Sequence, residues 1–459
     1  MEMRTNLEKI ARKYIFKPLK VASLMSCVYF ANNLYGKDIN IPADYSIIQA
    51  GINAAVGGDS VIVASGIYNE VVNLNGKAIT LRGLNGAERT IIDGSGLGDS
   101  VVKCINGEGA DTIIDGFTIT GGNGSNFGDF YGGGGMINAN SRATISNCVF
   151  MENSSFKATE SYINRFGGGI FNIKSNPTIT DCTFFLNLAF SGGGIANYDS
   201  NPKITNCIIK ANNAINDGGG IWNNANSAAL INNCIIDKNI SAEGGGAYNN
   251  GDINFLNCTF FGNKSRRDGY GGLYGEGGLA SITNCIFWNN DRLMCCNGFI
   301  VYNYSNIQNA GPNQPGIGNI DADPLFIDSD NGDFRLQANS PCIDTGDPSL
   351  RDSDGTRSDM GALFYDQETK LTKFTRGDAN DDGKLDISDP IQTSRHLFFK
   401  EEANCLDAHD SNDDGKLDSN DILYSLDYLF NGGFAIPEPF LQKGFDNTLD
   451  PLTCISYEN

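Results

Sequence analysis

Histidine is nearly missing from this chain: among 459 residues there are 2, His396 and His409. The first 350 residues therefore hold no imidazole base and no imidazole metal ligand. Positive charge is scarce as well. Lys and Arg total 33 against 54 Asp and Glu, a formal net charge of -21. Such a chain repels nucleic acid and anionic membrane surfaces, so neither is an expected partner, and it suits calcium. No segment reaches the roughly 20 apolar residues that a membrane helix needs. Glycine is plentiful, at 56 residues, but without a collagen-like triplet period.

What is present begins with KYIFKPLKVASLMSCVYFANNLYG. Positive charges precede an apolar run at 21–31, and small and polar residues follow. This is the layout of a signal peptide, expected over residues 1–36, and it implies a secreted or cell-surface protein.

Farther on, one phrase keeps returning. ITNCIIKANN at 204–213 is echoed around Cys148, Cys182, Cys207, Cys234, Cys258 and Cys285, at spacings of 34, 25, 27, 24 and 27. A glycine cluster stands 12 to 14 residues before each cysteine, while the stretch from cysteine to the next cluster varies in length. One part of each repeat is in fixed register and the other is a loop. Ile or Phe stands three before the cysteine and two after it, Asn always five after it, and Asn or Asp directly before it. A further Asn column follows the glycines: Asn138, Asn172, Asn197, Asn223 and Asn249. Short Ile/Phe runs bounded by Gly and Asn are strand and turn punctuation, without helical period.

A period in this range indicates a solenoid or a propeller, and the fixed columns favour a solenoid. The fold expected is all-β, a right-handed parallel β-helix with one coil per repeat. Like residues then stack roughly 4.8 Å apart, Asn can form ladders along the axis, and Asn tolerates left-handed turns. The cysteines read as an inward column of small apolar side chains. A disulfide framework is the weaker reading, because a whole stack cannot pair. Zinc is excluded by the lack of a CxxC pair or a histidine in any coil. An amphipathic helix at about 47–55 would cover the open end, and IIDG at 91–94 and 113–116 marks two early coils. Over residues 38–320 the chain resembles right-handed parallel β-helix proteins. These include pectate-lyase-like folds and polymorphic outer-membrane proteins, with their GG-I and F-x-x-N signatures. The resemblance speaks for fold and says little of activity.

Residues 321–364, with DPLF, DFRLQANSPCIDTGD, DGTR and DMGA, resemble the segment that closes many secreted β-helices ahead of a surface anchor. That assigns 37–320 to the β-helix and 321–367 to its C-terminal cap.

A metal motif follows, twice. Asp378, Asn380, Asp382, Asp386 and Asp389 occupy positions 1, 3, 5, 9 and 12 of one loop, with Gly383 at 6 and the Lys384 carbonyl at 7. Asp410, Asn412, Asp414, Asp418 and Asp421, with Gly415 and Lys416, repeat this 32 residues later. Alternating oxygens around a glycine turn wrap a hard cation. Position 12 is Asp where the general EF-hand has Glu. Helix-like stretches follow both loops, and no clear helix precedes either. Two such units resemble a type I dockerin, over 376–434, with 435–459 as a tail. The resemblance implies two Ca2+ ions, folding on calcium, and a cohesin-like protein partner. Positions 10 and 11 are Ile387 and Ser388 in one copy, Ser419 and Asn420 in the other, which departs from a symmetric two-way binding mode. Cys405 and Cys454 are a candidate disulfide in an exported protein.

Two features are candidates for chemistry on the solenoid. An outward column follows the glycines: Phe171, Ala196, Trp222, Tyr248 and Tyr274. Its rings either bind sugars or stack on one another. Asp217 and Glu243 fall in adjacent coils of one column, about one strand apart, near the roughly 5–5.5 Å of a retaining glycosidase pair. The alternatives for them are solvated turn acids or a calcium site. Lys210, Lys238, Arg266 and Arg267 are basic residues that a uronate lyase would need, without a lyase signature around them. The function expected is binding or processing of extracellular polysaccharide, by a polysaccharide lyase or glycoside hydrolase if catalytic. The alternative is a non-catalytic adhesin or matrix protein.

Overall fold

A computed structural model describes residues 36–156, 164–267, 270–292, 294–296, 299–309, 316–366, 373–440, 442–445, 452 and 454. The expected signal peptide lies, but for Gly36, outside the described residues. The chain divides into two compact units. One runs to Pro324 and takes in Met360–Ala362, and the other comprises Leu325–Asp359 and Leu363–Asn459.

The first unit is a stack of coils. Each coil gives one short strand to each of three long sheets. In one coil these are Ile195–Tyr198, then Lys203–Thr205, then Ile208–Lys210. By position, Lys203–Thr205 belongs to the first sheet, Ile208–Lys210 to the second and Ile195–Tyr198 to the third. The first sheet has 11 strands, the second 10 and the third 9. Neighbours in all three are parallel and in register, coil upon coil. Eleven strands at the usual spacing span roughly 48 Å. A fourth sheet of 4 two-residue strands, Leu188–Ala189 to Lys264–Ser265, lies between the second strand and the glycines. This is the parallel β-helix that the columns of the sequence call for.

Each column has a physical task. The residue before each cysteine turns the chain from the first sheet to the second in the left-handed region. At Asn147, Asp181, Asn206, Asn233, Asn257 and Asn284, φ lies between 49° and 53°. Short polar side chains tolerate that conformation best after glycine. The cysteines themselves are buried thiols without disulfides. Each donates Sγ–H to the carbonyl two residues back, as Cys182 does to Thr180 at 3.1 Å, and burial pushes the thiols of Cys182 and Cys234 up. The third glycine of each run faces the coil above. A Cβ on Gly194 would lie 2.7 Å from the Gly220 carbonyl oxygen, so no side chain fits.

The interior is apolar and layered. Ile204, Cys207, Ile209 and Ile221 are buried, and equivalents repeat in each coil. Phe150 and Phe184 stack at 5.0 Å, Phe260 and Phe287 at 4.2 Å. At one corner Asn153, Asn187, Asn212, Asn239, Asn263 and Asn290 form an unbroken side-chain ladder, each Nδ2 donating to the next Oδ1 at 2.8–3.1 Å. A second ladder joins Asn138, Asn172 and Asn197. Helix α1, Ile48–Ala54, presents Ile48 and Ile52 to the first coils.

The two IIDG phrases do fall in two successive early coils, at different points of the turn: the first lies in Thr90–Asp93 of the second sheet, the other in Ile113–Asp115 of the first. In the DMGA segment, Gly361 donates to the Asn284 carbonyl at 2.7 Å and Ala362 to Thr259 Oγ1 at 3.0 Å.

Among the described residues the second unit holds an antiparallel hairpin, Phe326–Asp328 with Asp333–Leu336, and three helices: α2 (Ser388–Phe399), α3 (Leu406–His409) and α4 (Ser419–Asn431). A short helix therefore does precede the second loop. Cys405 and Cys454 form a disulfide.

Candidate functional site

The outer face of the third sheet gathers the solenoid's candidates. Directly before the glycines, Asp217 and Glu243 are neighbours in a parallel bridge. Directly after them, Phe171, Ala196, Trp222, Tyr248 and Tyr274 pair in sequence along the sheet.

This column is not an open stripe. A hairpin, Ser125–Phe127 with Phe130–Gly132, folds over its first coils, and Arg165–Phe166 joins it as a third strand. Phe171, Ile137, Ile173 and Ala196 are buried beneath it in a small second core. Phe166 lies 5.4 Å from Phe171 and 4.7 Å from Trp222, and Phe130 lies 4.5 Å from Tyr198. Phe171 therefore has no ring face for a sugar, and its assignment as a binding residue is withdrawn. The hairpin lies outside the repeat, so no column of the sequence announces it.

Past the hairpin the face opens. Trp222, packed on one side against Phe166, and Tyr274 are half-buried, and Tyr248 is buried at 7% exposure. Tyr248 and Tyr274 stack at 5.4 Å, and Tyr270 meets Tyr274 at 5.9 Å. The Tyr248 hydroxyl donates to the Glu276 carboxylate. Burial, then that carboxylate, hold its pKa above the ordinary phenol value. Asn216 Nδ2 donates to Asp217 at 2.7 Å. Burial first, then the charges of Glu243 and Glu276, push Asp217 up to about 6, with Asn216 and Arg267 opposing. Asp217 can thus hold or release a proton near neutrality. The sequence columns bring Asp217 and Glu243 together, as the structure does, and give no sign of Glu276, which the structure adds beside Tyr248.

The remaining basic candidates are engaged elsewhere. Lys210 pairs with Asp237 at 3.4 Å on the second sheet. Arg266 donates to the Ala214 carbonyl at 2.9 Å and to Asn213 Oδ1 at 2.6 Å. Lys238 acts on Asp237 through its charge.

In the second unit, the two loops share a common set of bonds. Asp378 accepts the Asp382 and Gly383 amides at 3.1 and 2.9 Å, and Asp410 accepts those of Asp414 and Gly415 at 3.3 and 2.9 Å. Asp382 accepts from Lys384 N, and Asp414 from Lys416 N. Asp386 and Asp418 accept from the second residue on, Ser388 and Asn420. Asp389 and Asp421 each accept at 2.8 Å from the amide three residues back. Asp381 and Gly383, Asp413 and Gly415 are left-handed in both copies. Asn380 and Asn412 Oδ1 cap the turn at 3.0 and 3.2 Å.

The donor set fits a hard divalent cation. Asp378, Asp389, Asp410 and Asp421 are almost fully buried, although carboxylates seldom are unless paired. Asp421 Oδ1 is buried without a hydrogen-bond donor. Burial, with repulsion from Asp378 and Asp382, pushes Asp389 up to about 7, and burial with mutual repulsion raises the Asp410–Asp421 pair. Among the described residues no three His, Cys, Asp or Glu side chains converge on one point. In loops of this type amide and backbone carbonyl oxygens complete the set, so carboxylates alone need not converge.

No protein-family model matches the chain. No curated protein matches it. Among solved structures it is similar to pectate lyase Pel9A, with 13% identity over 72% of this chain and 96% of that one, at a TM-score of 0.40. It is also similar to pectin methylesterase from carrot, with 11% identity over 63% and 89% at a TM-score of 0.31. ORF18 of Geobacillus virus E2 shares 15% over 67% and 63%, at 0.33.

Proposed function

We propose that this chain is an exported, modular protein whose β-helix engages extracellular polysaccharide on the outer face of the third sheet. Its C-terminal unit is a dockerin-type pair of loops that holds two Ca2+ ions and attaches the protein to a cohesin-like partner. Trp222, Tyr248 and Tyr274 would form the platform, with sugar rings lying on the half-buried faces of Trp222 and Tyr274. The observation that carries this reading is the meeting of that ridge with Asp217, whose carboxyl is raised to about 6 beside Glu243. A face bearing Asp217, Glu243 and Glu276 repels uronates, so the polymer is a neutral one. If the site is catalytic, Asp217 is the proton donor and Glu243 the partner carboxylate of a glycoside hydrolase. A lyase fits less well, because Lys210 and Arg266 are engaged away from these acids, which leaves Arg267, whose charge acts on Asp217, as the base. Export is supported by the layout of residues 1–36 and by the Cys405–Cys454 disulfide.

The second reading is a non-catalytic adhesin or matrix protein. The burial of Phe171 favours it, since that part of the aromatic column serves packing. Affinity electrophoresis of the full chain through neutral and uronate-rich polysaccharides tests the proposal. Retardation by a neutral polymer, abolished by Trp222→Ala, is expected. Polymer shortening that Asp217→Asn and Glu243→Gln both stop would make the protein a hydrolase. Retardation by nothing, or equal retardation of Trp222→Ala, would sink the site.

A further inference from the structure

Arg376 stands two residues before the first calcium loop, yet its side chain serves the second. It is fully buried, the largest such side chain among the described residues. Nη1 donates to the Asp410 carbonyl at 3.0 Å and to the Asp407 carbonyl at 3.3 Å. Nη2 pairs with the Asp413 carboxylate at 2.8 Å, and Nε donates to the Glu438 carbonyl at 3.3 Å. Its own amide is held by Pro439, and the next residue, Gly377, donates to the Ala408 carbonyl at 2.9 Å. Asp410 and Asp413 are positions 1 and 4 of the second loop. The residue equivalent to Arg376 in the second copy is Ala408, which lacks any such arm. The cross-link thus runs one way.

A buried guanidinium is costly unless its donors are satisfied, so this contact is expensive to break. It fixes the backbone entering the second loop to the segment entering the first. Neither loop can order its first ligand without drawing the other toward its bound geometry. Resting on the calcium reading above, we propose that Arg376 couples the two loops, so that they take up calcium as one cooperative unit. Coupling of this kind is reciprocal: whatever the first loop gains from the second, the second gains from the first. Asp413 has a second task, since it neutralises a positive charge placed directly behind the second site.

The test is calorimetric titration of the full chain with calcium chloride against a competing chelator. Wild type is expected to bind two ions with a Hill coefficient above one. Arg376→Lys keeps the charge and loses the fork. Asp413→Asn breaks the ion pair, and Asn suits the left-handed backbone there. Both should still bind two ions, with the steps separated roughly tenfold, within the 5–150-fold range of ordinary coupling. Asp381→Asn removes the same charge from the equivalent position of the first loop and should keep the cooperativity. If Arg376→Lys fails to fold, Asp413→Asn decides. Two ions bound independently by wild type, or unchanged cooperativity in Asp413→Asn, would overturn the coupling and leave the calcium reading intact. No calcium uptake by wild type would overturn both.

Discussion

Asn212→Ala should be among the most damaging single changes in the solenoid, for reasons that can be counted. Asn212 is fully buried. Its Oδ1 accepts from the Asn187 amide at 3.0 Å and from Asn187 Nδ2 at 2.9 Å. Its Nδ2 donates to the Phe184 carbonyl at 2.9 Å and to Asn239 Oδ1 at 3.0 Å. Asn239 Oδ1 keeps the Asn212 backbone donor after the change, so it suffers little. The Asn187 backbone amide is stranded in the core, and Asn187 Nδ2 loses one acceptor while keeping the Phe150 carbonyl at 2.8 Å, so a loss of about 3 kcal/mol follows. Asn206→Ala is the comparison. It swaps a left-handed residue at an exposed turn, with one side-chain bond to Asp181 at 3.1 Å, and should cost about 1–2 kcal/mol. Guanidinium denaturation followed by far-UV circular dichroism measures both. A loss below about 1 kcal/mol for Asn212→Ala, or one no larger than that of Asn206→Ala, would refute the claim that the inner ladder fixes the corner.

Three further outcomes are expected. Asp217 has a folded pKa raised to about 6, so its contribution is full below the unfolded value and is lost as pH rises through 6. Asp217→Asn should therefore be more stable than wild type above pH 6, by about 1–2 kcal/mol after discounting for solvent, with the difference vanishing below pH 4; thermal melts across pH check this. Chelation of calcium should expose the second unit to proteolysis and leave the coils resistant, and Asp421→Ala should mimic it without chelator. Reduction of the Cys405–Cys454 disulfide, which closes 49 residues, should cost the second unit about 4 kcal/mol on the chain-entropy account, and thiol labelling of these two should appear only after reduction.

The coils were legible because a parallel solenoid places identical constraints at one point of every turn. The Asn before each cysteine, the glycine runs and the inner ladder all announce themselves as columns. The hairpin around Phe130 was not legible, because it occurs once and its partner strand, Arg165–Phe166, lies far off in sequence. It reverses the meaning of Phe171, which points outward from the coil yet lies in a core. Glu276 was missed for the same reason: its link to Tyr248 crosses coils. In the second unit the repeat of the two acidic loops was plain, but a lone arginine ahead of one loop gives no hint that it binds the other. Helix α3 was too short to show a period.

The central claim is that neutral polysaccharide lies against Trp222. The chain has 2 tryptophans, so Trp288→Phe leaves Trp222 as the sole indole. Quenching of that variant by acrylamide, which is neutral and so insensitive to the acidic face, with and without each polysaccharide, reads the site directly. The account predicts that one neutral polymer shields the indole and shifts its emission, while uronate-rich polymers do neither. Full quenching in the presence of every polymer, or shielding by uronate-rich polymers alone, would contradict it.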